Sequence, residues 1–351
     1  MFHRILALGA ALLFFTQLCA AAPATGSVDT RILESKVLAE NRVGLNLRRP
    51  LKVYLPPGYA TAKRRYPVIY MLHGLNWSNE RMFAPDSPIA ATFDTAIARG
   101  VIPPFIAVAP DYTAAGPGTF FANSSTAGRF EDFTVDEVVP FVDSNYRTLA
   151  RSQSRAIMGE HMGAYGALLY AFHHPDVWGT VYGQHPVGTG PGLVPMWSRP
   201  DWNKVQNARS FADLAGDPYT PVFVAMAQAF LPNAQRPPFY CDQIVDLVDG
   251  KPRLNVANSL LLKSRFTLET AVVDNLENVR RLRGIKFDWG RYDPNQDHVY
   301  ANEAFTRRLD ELGIEHEAEE FRGLPWDKYW IPDGRVITEV LPFFARHLSV
   351  D

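Results

Sequence analysis

The sequence predicts an α/β fold, a mostly parallel central sheet with helices on both faces. Short apolar or alternating runs of strand length fall at residues 49–55, 68–72, 105–109, 155–159, 177–182, 285–289 and 316–321. Stretches with helical spacing stand among them, at 133–146, 162–172, 302–312 and 336–348. Strands alternating with helices in this way imply a parallel sheet covered by its own crossovers. Run 105–109 is bounded by prolines and apolar throughout, as expected of a strand buried on both faces. The chain has 351 residues, 47% of them hydrophobic, enough for one large core, and no break in composition forces a second.

Residues 1–22 have the layout of an export signal. Arg4 precedes an apolar run from Ile5 to Phe15, and Cys19-Ala20-Ala21-Ala22-Pro23 supplies small residues for cleavage. The run is short for a bilayer span, and Thr16-Gln17-Leu18 before Cys19 is a poor lipidation signal. The expectation is an exported protein without a membrane anchor, in a bacterial periplasm, with a mature domain at 23–351. Cleavage would leave Cys241 alone, so the mature chain would make no internal disulfide.

Pro56-Pro57-Gly58-Tyr59 turns the chain between the first two strands. Helix 133–146 carries Asp132, Asp136 and Glu137 at its start, and small residues fill helix 162–172. Between about 188 and 275 the rhythm fails. Pro191, Pro195, Trp197, Trp202, Pro232, Pro237, Pro238, Phe239 and Tyr240 crowd there, which reads as a cap over a cleft or as loop packed on the sheet. Lys plus Arg number 35 and Asp plus Glu 37, which leaves no basis for electrostatic capture of nucleic acid or an anionic membrane. A small molecule suits this balance, and no signal of oligomeric state is present.

Several segments carry a more specific signal in their order. They are Val53-Tyr54-Leu55-Pro56-Pro57-Gly58-Tyr59, Tyr66-Pro67-Val68-Ile69-Tyr70-Met71-Leu72-His73-Gly74, Asn145-Tyr146-Arg147-Thr148, Arg155-Ala156-Ile157-Met158-Gly159, Tyr165-Gly166-Ala167-Leu168 and His174-Pro175-Asp176. Together they resemble the esterase D, enterochelin-esterase and antigen 85 branch of the α/β-hydrolase superfamily, over about residues 51–348. The resemblance implies an α/β-hydrolase fold with a strand-to-helix nucleophile elbow at Gly159-Glu160-His161-Met162-Gly163. His161 stands where the family has serine, and Ala164 where a second glycine is usual. Ile285-Lys286-Phe287-Asp288-Trp289-Gly290-Arg291-Tyr292-Asp293 matches the strand leading to the triad acid, so Asp293 is the candidate, with Asp297 in reserve. The triad histidine should lie within residues 321–330, where none is present; Pro325, or Leu324 with a one-residue shift, takes its place.

With neither a serine nor its base in place, serine-esterase chemistry is not expected. Ser124, Ser125 and Ser198 do not sit on an elbow. An imidazole at 161 reaches further than a hydroxyl and could meet Asp293 directly, as a His161–Asp293 dyad acting as general base, or as a covalent nucleophile. Backbone amides of Leu75 and Met162 would supply an oxyanion hole. The leading expectation is therefore an enzyme acting on an ester, lactone or enolisable small molecule, by hydrolysis, elimination, isomerisation or cyclisation. The alternatives are a pseudoenzyme serving as a binding module and an esterase with an atypical triad.

Glu160, His185 and Trp77 are further cleft candidates, each weighed against a structural role in packing or a loop. His161, His185 and Asp293 could gather a metal, but no HExxH or close ligand pair supports one, so neither metal nor cofactor is expected. His73 reads as structural, His316 as a strand residue and His298 as solvent-exposed.

Overall fold

The computed structural model of the protein describes residues 25–190, 192 and 196–351. The expected export signal, Pro191 and Pro195 lie outside the described residues. Eight strands form one sheet: β1 (Ser27–Glu34), β2 (Arg48–Leu55), β3 (Val68–Leu72), β4 (Ile106–Pro110), β5 (Arg155–Glu160), β6 (Thr180–Gln184), β7 (Gly284–Gly290) and β8 (Glu317–Phe321), in the order β1-β2-β4-β3-β5-β6-β7-β8. The pairs β1/β2 and β2/β4 are antiparallel and the rest are parallel. This is the α/β-hydrolase fold that the sequence implies.

Alternation along the strands divides the interior into two apolar layers. Tyr70 and Ile157 pack on one face with Leu168 of the helix Met162–His173, while Ile69 and Met158 pack on the other with Phe93 and Phe344. β3 to β5 are buried almost throughout, so their apolar runs were readable without alternation.

Several boundaries differ from the sequence reading. β6 starts at Thr180 rather than 177, because the Val177 and Trp178 amides still close a turn on the His174 carbonyl. β1 is an additional strand, an exposed edge whose polar sequence carries no buried stripe. The helix expected at 302–312 runs Gln296–Glu311, its first turn lying against the end of β7. Wide π turns at Phe133–Val138 and Val336–Val340 precede Pro140 and Pro342, where the missing N–H and the ring clash disfavour regular α geometry.

Residues 188–275 are more regular than the proline and aromatic crowding suggests. They contain the helices Trp202–Asn207, Tyr219–Phe230, Val256–Phe266 and Leu268–Asp274 and a hairpin pairing Val245–Val248 with Lys251–Leu254. Among the described residues no helix is long and apolar enough to cross a membrane.

The segment following β8 is pinned from below. Asp288 of β7 is fully buried, and accepts hydrogen bonds from Tyr182 Oη (2.8 Å), Tyr329 Oη (2.6 Å) and Arg335 Nε (2.6 Å). Burial pushes the Asp288 carboxyl upward, against the opposing pull of Arg335 and its hydrogen bonds. Removing the carboxylate would leave two buried phenols without an acceptor while Arg335 keeps its Glu319 partner, so Asp288→Ala is expected to cost about 2–3 kcal/mol, read by urea unfolding. A cost below about 1 kcal/mol would refute this role.

Candidate functional site

The elbow is built from two glycines and a strained histidine. A Cβ on Gly159 would lie 2.3 Å from the Gly163 backbone, and one on Gly163 would lie 2.0 Å from the Leu72 carbonyl oxygen. Between them His161 adopts φ 54°, ψ −110°, which costs a non-glycine residue about 1–3 kcal/mol. Its amide donates to the Gln184 carbonyl (2.9 Å) and its carbonyl accepts from the Tyr165 amide (3.1 Å). The tight turn therefore persists although its apex is an imidazole.

His161 is half-buried and borders a cavity of about 200 Å³, shared with Leu75, Met162, Asn295, Asp297 and His298. Met226 and Phe266, from residues 188–275, line its other wall. The Met162 amide opens a helix and so has no intrahelical acceptor. The Leu75 amide makes no backbone hydrogen bond among the described residues. Both expected oxyanion donors thus border the cavity that His161 borders.

The expected direct bond between His161 and Asp293 is not formed. Asp293 is buried, and its Oδ2 accepts from His185 Nε2 (2.8 Å) and His298 Nδ1 (2.7 Å). His161 instead stands edge-to-face with His298 (5.2 Å between ring centroids), parallel to His185 (6.2 Å) and near Trp326 (6.4 Å). The physical reason is reach: His298 lies in the first turn of the helix that follows Asp293, and His185 at the end of the neighbouring β6, so both rings saturate the carboxylate.

Hydrogen bonds at the outer nitrogens assign the tautomers. The Gly290 amide donates to His185 Nδ1 (3.0 Å), so the His185 proton sits on Nε2 and points at Asp293. Arg199 Nη2 donates to Asn295 Oδ1 (3.3 Å), which leaves Asn295 Nδ2 to donate to His298 Nε2 (2.9 Å). The His298 proton is then on Nδ1, also facing Asp293. Asp293 Oδ1 takes the Asn295 amide (2.7 Å). Burial alone would raise the Asp293 carboxyl, but the His185 and His298 hydrogen bonds overcome it and hold the group well below the usual carboxylate range.

Burial, with repulsion from His298 and His185, lowers His161 from 6.5 to about 3. His161 is therefore a neutral imidazole at neutral pH. Its folded pKa lies below its unfolded one, so its contribution to stability is complete above pH 6.5 and lost as pH falls from 6.5 towards 3. At pH 4.5 the loss should be about 1–2 kcal/mol after allowance for partial solvent access. His161→Gln should recover that amount in urea unfolding at pH 4.5 relative to pH 7; an unchanged pH dependence would count against a neutral ring.

The remaining sequence candidates take other places. Glu160 projects to the opposite side of the elbow, where it accepts a hydrogen bond from Trp330 Nε1, and burial pushes its carboxyl upward. It borders a second cavity of about 200 Å³ together with Trp77, whose exposed indole is covered by Arg81. His185 is buried beneath Asp293. Asp297, the reserve acid, forms an ion pair with Arg199. His73 is held by the Gly74 carbonyl (3.0 Å) and the Tyr112 amide (3.1 Å). Ser124 is buried and donates to the Gln228 carbonyl. Pro325 is buried in the segment after β8, and it is Trp326 from that segment that approaches His161.

His298 corrects the expectation of solvent exposure, and Asn295 and Arg199 were not singled out from sequence at all. The available signal was a histidine five residues beyond the candidate acid, in the first turn of a helix.

The profile of the family described as "Putative esterase" matches residues 43–316. An endo-1,4-β-xylanase/feruloyl esterase of Xylanibacter ruminicola is 34% identical over 137 residues, which is 36% of this chain and 18% of that protein. Esterase Rv1288 of Mycobacterium tuberculosis is 35% identical over 127 residues, 34% of this chain and 25% of that protein. The matched segments span a quarter or less of these relatives. Among solved structures, a ferulic acid esterase superposes with a TM-score of 0.63 at 20% identity, covering 93% of this chain and 100% of its own. An S-formylglutathione hydrolase from Agrobacterium tumefaciens gives 0.60 at 14%, covering 93% and 98%. At these identities the superpositions speak to the fold.

Proposed function

The chain belongs to the "Putative esterase" family, and on that premise we propose that it is an exported ester- or lactone-hydrolysing enzyme whose base is His298, oriented by Asp293, in place of a serine triad. The observation that supports this reading is the 2.7 Å His298 Nδ1–Asp293 Oδ2 hydrogen bond beside His161, in the cavity bordered by Leu75 and Met162. It is the histidine–carboxylate half of a triad, supplied from the helix after β7 instead of the segment after β8.

In this reading His298 Nε2 removes a proton from water as the water oxygen attacks the ester carbonyl carbon. Charge moves onto the carbonyl oxygen, where the Leu75 and Met162 amides receive it. Collapse breaks the C–O bond, and the departing alkoxide takes the proton from the His298 imidazolium. Asp293, anionic throughout, stabilises that imidazolium. His161 stays neutral and serves as a hydrogen-bonding partner that holds the water against the carbonyl. Asn295 rests on His298 Nε2 in the free enzyme and must yield to water when substrate enters. Residues 188–275 act as the cap and supply the apolar wall.

Hydrolysis of 4-nitrophenyl acetate by wild type and by His161→Ala tests the reading. Turnover by wild type, with a loss of about tenfold or more in the variant and retained folding, is expected. The Asn295 contact also favours a second reading, a binding module with a silenced base. Absence of turnover on aryl esters and lactones alike, together with tight binding of either, would establish that reading instead.

A further inference from the structure

A second cluster of ligand-type side chains lies away from the elbow, at the far end of the helix Met162–His173. His173 Nδ1 and His174 Nε2 both sit 2.7 Å from the same carboxylate oxygen, Oε1 of Glu131. Glu131 comes from the short helical turn Phe130–Asp132, so the three groups tie together segments far apart in the chain. We propose that Glu131, His173 and His174 bind a borderline transition-metal dication, zinc being the representative case.

The donor set is the first argument. Two imidazoles and a carboxylate, with water completing four ligands, suit a tetrahedral zinc ion. Their ligand atoms all lie within 4.8 Å of one another. Metal–ligand distances near 2.0–2.1 Å at tetrahedral angles require ligand atoms about 3.3 Å apart, so each histidine–Glu131 pair, now at 2.7 Å, needs to open by about half an ångström.

Proton placement is the second. The outer nitrogens, His173 Nε2 and His174 Nδ1, make no hydrogen bond among the described residues. Each ring can therefore carry its proton outward and turn a lone pair inward. A second histidine–carboxylate cluster among the described residues, His185–Asp293–His298, differs here. There the Gly290 amide and Asn295 occupy the outer lone pairs and keep the protons directed at Asp293, so those rings have no inward lone pair to give.

Charge and access complete the case. Glu131 is buried, and both rings converge on its Oε1. The two rings are about 30% exposed, and the cluster borders an open cleft that also contains Asp274. An ion has a path from solvent to a preformed anionic group, and its binding would displace protons now shared with Glu131.

The test is isothermal titration of zinc chloride into chelator-treated full-length protein at pH 7.5, with His173→Gln, His174→Gln and His298→Gln alongside. Wild type is expected to bind one equivalent with Kd tighter than about 100 µM, weakened about tenfold or more in His173→Gln and His174→Gln but unchanged in His298→Gln. His173→Gln keeps His174 on Glu131 and so should retain the fold, checked by circular dichroism. Zinc should also raise the thermal midpoint of wild type and not that of His173→Gln. Wild-type binding weaker than 100 µM, or binding lost in His298→Gln but kept in His173→Gln, would overturn the proposal.

Discussion

Replacing His298 by alanine is expected to lower kcat for aryl-ester hydrolysis by about 10²–10⁴-fold, the range over which a positioned general base contributes. The effect should fall on kcat more than on KM, because His298 acts on the water proton and not on the bound ester. Asp293→Asn should produce a loss of similar order by a different route. An amide has one acceptor oxygen, so it cannot take the His185 and His298 protons on one atom (2.8 and 2.7 Å) and the Asn295 backbone N–H on the other (2.7 Å) as the carboxylate does. The two losses should not add in the double variant, since the carboxylate works only through the ring it orients. An additive double variant would mean that the groups act separately.

The largest expected effect on stability belongs to the elbow. Gly163→Ala would drive a methyl group to within 2.0 Å of the Leu72 carbonyl oxygen and 2.9 Å of that of His73, and both of these neighbours are backbone atoms. Neither can move like a flexible side chain, so a loss of about 3 kcal/mol or more is expected in urea unfolding. Gly74→Ala is the matched control. Its new Cβ would meet the Glu160 carbonyl at 3.4 Å, an ordinary contact, and at most a small change is expected. Equal behaviour of the two variants would show that the elbow turn is not closed as tightly as described.

The ordering of these effects reflects what was legible in the sequence. Buried strands such as 68–72 announce themselves by apolar runs of the right length, and the family resemblance implies the elbow at Gly159-Glu160-His161-Met162-Gly163, whose two glycines meet the turn's steric needs. Local sequence determines those features. β1 was not legible, because an exposed edge strand has no apolar stripe to reveal it. Asp293 was recognisable from its place after β7, but its partners depend on three-dimensional reach. His161 could meet Asp293 only if nothing nearer claimed the carboxylate. His185 and His298 are nearer, one across a strand pairing and one along a helix turn. The tautomers lie further still from sequence, since they follow from the Gly290 amide and from the chain Arg199–Asn295–His298.

That correction changes the chemical role of the elbow. A histidine bonded to a carboxylate would be a base, whereas His161, lowered to about 3 by burial and by two neighbouring rings, is an uncharged group that hardly takes up protons at neutral pH. In the proposed reading the basic function passes to His298, and the elbow retains a strained turn that holds an imidazole at the cavity edge.

The most direct measurement is 4-nitrophenyl acetate turnover by wild type and His298→Ala, each assayed before and after treatment with a fluorophosphonate probe. A histidine–aspartate centre predicts wild-type turnover that survives the probe with no serine labelled, and a rate at least about a hundredfold lower in His298→Ala. Unchanged turnover in His298→Ala, or activity abolished together with labelling of a serine, would contradict it.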